Sequence, residues 1–194
     1  MLNKLHRSLA VIILLFVAIH LCNHLAGLAG IDAHIAFMEL ARKFYRNQFV
    51  EPVLVLALAV QVCLGLYFVY RSWGKRKGLF QRVQAISGCY LAFFLLVHVS
   101  ATFNARETHG LDTNFYFATA GIHAADLSDF FVPYYFLAVA AIFVHVASAC
   151  HRVVLNSSGT ATADRVGATI MLIGMLTAAL IVASLTGAFY DIAV

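Results

Sequence analysis

The sequence predicts an all-α integral membrane protein, one bundle of five transmembrane helices spanning residues 1–194 as a single domain. Three observations predict it. Of the 194 residues 62% are hydrophobic and only 11% charged, whereas soluble domains are close to half apolar and a quarter charged. Five separate apolar stretches, at about residues 8–30, 51–71, 82–103, 133–152 and 166–190, are each long enough to cross the hydrocarbon core as a helix. The charges between these stretches alternate in sign bias along the chain, as a membrane topology requires.

The first stretch, Ser8 to Gly30, follows Lys4 and Arg7 and carries His20 and His24 at i, i+4 spacing. It has the order of a secretory leader, but its length, its polar second half and the lack of a small-residue exit site favour a retained span. Residues 31–47 alternate charges with Ile35, Met38, Leu40, Phe44 and Tyr45, the pattern of a short amphipathic helix at the membrane surface. The second span ends at the basic turn Arg71, Lys75, Arg76, Lys77, and the third begins at Arg82. Residues 104–131 form the longest connection, acidic and aromatic, with room for another surface helix. The fifth span has no charge or histidine before Asp191, and Gly174 and Ala178 give it a small-residue face for close helix packing.

Charge places the termini. Nine of the thirteen Lys and Arg fall at the N-terminus, the 2–3 turn and the 4–5 turn, and Asp164 is the one acid among the nine that joins them. The positive-inside rule puts the N-terminus in the cytoplasm and the C-terminus on the opposite side. The net charge of +4 is thereby explained without nucleic acid. The four cysteines stand singly within apolar runs and form no C-x-x-C pair, so they read as buried packing residues rather than zinc or redox ligands. Phosphate-binding and nucleophile-elbow motifs are absent, and the Asn156-Ser157-Ser158 sequon falls on the cytoplasmic side.

Ionisable groups inside a bilayer are costly and usually face a ligand or partner within the bundle. His20, His24 and His98 lie thirteen, seventeen and sixteen residues beyond Arg7, Arg7 and Arg82, depths of roughly 20, 26 and 24 Å along helices running the same way. A haem b needs two imidazoles on facing helices at matching depth. Spacing therefore allows His98 to share a haem iron with either His20 or His24. His145 lies in the inner half, where Gln61 stands at the comparable level of the second span. The alternative is that these histidines bridge helices through Asn23, Ser100, Thr102 or Ser148. His6, His34, His109, His123 and His151 read as flank or loop residues.

Beyond spacing, a series of local sequences carries a resemblance: Leu5-His6-Arg7-Ser8-Leu9, Ile19-His20, Ala33-His34, Phe37-Met38, Leu64-Gly65-Leu66-Tyr67, Gln81-Arg82-Val83-Gln84-Ala85-Ile86-Ser87-Gly88 followed ten residues on by His98, and Phe143-Val144-His145. In this order they resemble the five-helix, single-polypeptide cytochrome b membrane anchor of succinate dehydrogenase and fumarate reductase. The resemblance implies a distal haem held by His20 and His98, in preference to His24. It implies a second haem at His145 and position 61, where this chain has Gln61, so one haem b is expected. It also implies flavoprotein and iron–sulfur partner subunits on the cytoplasmic face, electron exchange with membrane quinone, and an energy-transducing membrane such as the bacterial inner membrane. Gln81, Arg82, Gln84 and Ser87, polar groups flanking an apolar slot, are the expected quinone contacts. The dicarboxylate chemistry would belong to the partners. A haem-free structural subunit and a stand-alone membrane haem protein are the competing expectations.

Overall fold

A computed structural model describes residues 1–76 and 78–192. Lys77, one of the basic residues of the 2–3 turn, lies outside the described residues. The chain forms α1 (Leu2–Ala26), α2 (Ile31–Tyr45), α3 (Val50–Ser72), α4 (Leu79–Phe103), α5 (Phe115–His123), α6 (Ser128–Ser158) and α7 (Thr160–Leu185). Among the described residues there is no strand. Five helical segments, built on α1, α3, α4, α6 and α7, are long and apolar enough to cross a membrane, and the molecule is a helical membrane bundle. Ile12, Leu15, Val53, Leu56, Leu96, Leu172 and Leu176 stand exposed on its outside, as a lipid-facing surface requires.

The helices outrun the apolar stretches that define them. Hydropathy detects only the residues that suit hydrocarbon, whereas helical hydrogen bonding continues through charged flanks until a breaker intervenes. The 4–5 connection shows this most clearly. It shrinks to Gly159, whose φ of 81° lets α6 turn directly into α7. α6 has 31 residues, about 46 Å at 1.5 Å per residue, against roughly 30 Å of hydrocarbon. The mostly exposed stretches Val153–Ser158 and Thr160–Arg165 thus form a two-helix spur at the basic end of the bundle. At the far end α7 stops at Leu185, short of the apolar run, because Gly187 takes a φ of 79°.

The five long helices form a closed ring: α1 packs on α3, α3 on α4, α4 on α6, α6 on α7, and α7 returns to α1. The α6–α7 contact is the most extensive. Gly174 makes it close, since a Cβ there would come within 2.2 Å of Phe143 Cβ, and Ala178 is fully buried one turn on. α4 is tied to α6 by Tyr90, whose hydroxyl donates to the Tyr134 carbonyl at 2.9 Å. Among the described residues, helices across the ring, α1 from α4 and α3 from α6, make few or no close backbone approaches.

α2 folds back against the C-terminal half of α1. Gly30, at φ 120°, makes the reversal. His34, Met38 and Ala41, at i, i+4 and i+7, are its buried face. α5 closes the same end, with Phe115 and Ile122 joining Val139, Ala140, Ala178, Ile181 and Leu185 in one apolar cluster. The cysteines depart from expectation. Cys22 and Cys63 are exposed and Cys89 and Cys150 half-buried, all as free thiols, because apolar positions on a membrane helix face lipid as readily as the core.

Candidate functional site

The interior of the ring is lined by one face of α1, on which Phe16, His20, Asn23, His24 and Gly27 recur at helical spacing. The His20 ring meets the His98 ring of α4 at 6.0 Å between centroids, with planes 66° apart. Each is held from behind by a stacked phenylalanine on its own helix, one turn away: Phe16 on His20 at 5.8 Å and Phe94 on His98 at 5.1 Å. Among the described residues neither imidazole makes a side-chain hydrogen bond, although Thr102 bonds the His98 carbonyl at 2.8 Å. Two imidazoles bonded to one metal at about 2 Å each have ring centres roughly 6 Å apart. The pair therefore has a separation at which both rings could bind one metal, on helices whose backbones are not ring neighbours.

Further out the imidazoles continue as a row. His24 contacts His20 edge-on at 4.8 Å, and His34 of α2 lies 5.3 Å from His24 and 5.1 Å from Phe115. Asn23, 6% exposed, joins its amide nitrogen to His34 Nε2 at 3.2 Å. His34, the flank residue of the sequence reading, is 2% exposed. Burial first, and then the Arg42 charge, push its pKa down to about 4. Among the described residues Asn23 Oδ1, His24 Nδ1 and His34 Nδ1 are buried without partners, an unusual concentration of unmet polar atoms. A signal for His34 existed in the sequence, since it shares a helical stripe with Met38 and Ala41.

Around this end runs a ring of ion pairs. Arg42 donates to Asp112 at 2.8 Å and to Thr113 at 3.2 Å. Arg106, just past α4, grips both carboxylate oxygens of Glu51 at the head of α3. These contacts tie α2, α3 and α4 together above the histidines.

At the opposite, basic end, His145 of α6 lies over Gly88 of α4, where a Cβ would come within 3.1 Å of its ring. Its Nδ1 is 3.1 Å from the Gln84 carbonyl and 3.4 Å from Ser87 Oγ. An Nδ1–H donated to that carbonyl leaves Nε2 as a free lone pair. Gln61 Oε1 is buried and unpartnered, while the His6 ring meets Phe68 edge-on at 5.5 Å. Of the four expected quinone contacts, Gln84 and Ser87 come together at His145, and Arg152 donates to Gln84 Oε1. Gln81 and Arg82 are exposed on the flank, where Arg76 donates to the Gln81 carbonyl at 2.9 Å. Burial and the neighbouring Arg152 charge draw the Arg76 pKa below its usual value.

The remaining histidines lie apart from both groups. His109 is exposed, His123 bonds the Leu185 carbonyl at 3.0 Å, and His151 stacks on Phe80 and pairs with Asp164 at 2.9 Å. Compared with known proteins, the chain matches no family model, no curated protein and no solved structure.

Proposed function

We propose that this protein is a membrane-anchor b-type cytochrome subunit of the succinate:quinone oxidoreductase kind, holding one haem b between His20 and His98. The observation that carries the reading is the 6.0 Å approach of these two rings from helices that are not neighbours in the ring. Bound there, a haem supplies one-electron exchange. The residues of the chain do the rest. Phe16 and Phe94 fix the imidazole planes, the apolar ring excludes water, and His24 stands one turn further out. His145, Gln84 and Ser87 present hydrogen-bonding groups to a quinone head at the basic end. That end, on this reading, faces the cytoplasm and meets flavoprotein and iron–sulfur partners, with the whole in an energy-transducing membrane.

The test is a pyridine haemochrome assay with protein quantification on the detergent-purified chain. One haem b per chain is expected, lost in His98→Ala and His20→Ala and kept in His24→Ala, His109→Ala and His123→Ala at unchanged helix content. A His98→Ala protein with its full haem complement would remove the proposed pair. Co-purification of large flavin-containing subunits supports the anchor role; haem without them makes the chain a stand-alone haem protein.

A further inference from the structure

One face of α4 is apolar and uncovered. Leu79, Ile86 and Phe93 recur every seven residues and are all exposed, so they form a single outward stripe along the helix. Arg82 lies on the same stripe, three residues after Leu79 and four before Ile86, and is itself exposed. A cation thus stands at the head of an apolar track that faces lipid.

The Arg82 side chain is held in place. Its Nε donates to the Arg76 carbonyl at 3.3 Å, while Arg76 donates to the Gln81 carbonyl and to Ser72 Oγ, both at 2.9 Å. The two arginines interlock between the end of α3 and the first turn of α4. Among the described residues the terminal nitrogens of Arg82 make no hydrogen bond, and the acceptors of Arg76, Arg82 and Arg152 are all neutral. Asp164, the one acid that the sequence puts at this end, pairs with His151 at 2.9 Å. Tyr70 and Trp73, at the end of α3, are exposed beside the arginines, and such residues gather where hydrocarbon meets headgroups. Positive charge is therefore uncompensated at the depth of lipid phosphate.

We propose that Arg82, steadied by Arg76, binds the phosphate of an anionic glycerophospholipid whose acyl chain lies along Leu79, Ile86 and Phe93. Guanidinium stays charged and presents parallel N–H donors that match phosphate geometry. Basic groups flanking membrane helices recognise anionic headgroups by this chemistry. A free phosphate ion offers the same oxygens but makes no use of the stripe. The site is separate from the His20–His98 pair and does not depend on it.

The experiment uses Trp73, the single tryptophan of the chain, three residues from the Arg76 carbonyl that holds Arg82. The purified full chain is placed in phosphatidylcholine vesicles, and its fluorescence is quenched with increasing fractions of acyl-brominated phosphatidylglycerol or acyl-brominated phosphatidylcholine. In the wild type the brominated phosphatidylglycerol quenches at about fivefold lower fraction, and Arg82→Gln, with unchanged helix content, brings the two lipids within about twofold. Arg165→Gln and Lys4→Gln, equal charge changes at exposed positions of the same end and off the stripe, keep most of the preference. Arg82→Gln with the full wild-type preference, or a wild type without one, would overturn the assignment. So would an equal loss in Arg165→Gln or Lys4→Gln, which would make the preference one of diffuse surface charge. Inorganic phosphate that abolishes the wild-type preference at matched ionic strength would make this a site for the free ion and overturn the lipid equally.

Discussion

Asn23 and His34 share one hydrogen-bonding contact where both are buried, and it links α2 to α1. The folded protein holds His34 neutral down to about pH 4, while in an unfolded chain an imidazole protonates near pH 6.5. Between those values the unfolded state binds the additional proton, so stability falls as pH drops through that window and is unaffected above it. The span of the shift sets an upper limit of about 3 kcal/mol. Thermal unfolding in detergent from pH 7 to pH 4 should therefore show a falling midpoint, and His34→Phe should flatten the fall. An unchanged pH profile in that variant would mean His34 is not the group responsible. His20 and His98 were legible from residue counts, because depth along a helix is fixed at 1.5 Å per residue. His34 was read as a flank residue, although the helical stripe it shares with Met38 and Ala41 is the buried face of α2. Counting left His20 and His24 equivalent; in the fold the His20 ring meets the His98 ring, while the His24 ring meets those of His20 and His34.

At the scale of the helix, small residues decide how near two cylinders come. Gly174 was readable as a packing position from its spacing with Ala178, but its partner Phe143 was not, since sequence spacing names faces and not neighbours. Gly174→Ala puts a methyl 2.2 Å from Phe143 Cβ, and overpacking of this kind costs about 1–3 kcal/mol. The apparent melting temperature in detergent should drop by several degrees, whereas Gly74→Ala, with open space around it, should leave it nearly unchanged. Equal melting of the two variants would show that α6 and α7 yield without penalty. Gly88 acts similarly on a functional side chain, because the His145 ring occupies the room a methyl would need. Helix ends were the least readable feature of the sequence. Hydropathy assigned residues 153–165 to a connection, yet all but Gly159 are helical, since nothing in Val153–Ser158 opposes helix strongly enough to stop it before the glycine.

For the whole molecule, the closed ring keeps α1 and α4 from being neighbours, and the His20 and His98 rings meet across it. The number of spans and their order were evident from composition. The closure of α7 onto α1 was not, because it depends on Gly27 lying against Ser184 and on the Tyr190 hydroxyl donating to the Gly27 carbonyl, contacts far apart in sequence. The charge distribution predicts that Lys75→Cys is modified by a membrane-impermeant thiol reagent from the cytoplasmic side alone, and Asp112→Cys from the other side alone. These variants are made in a chain whose four native cysteines are replaced. The reverse labelling would invert the topology and move the proposed quinone end to the opposite face.

The α6–α7 spur has one more consequence, for clearance. Its arms, Val153–Ser158 and Thr160–Arg165, rise about 9 Å and are joined near their base by the His151–Asp164 pair. A bulky aqueous body settling on this face would rest on the spur tip before it reached the lipid headgroups. On the anchor reading proposed above, the spur would act as a spacer between that body and the bundle.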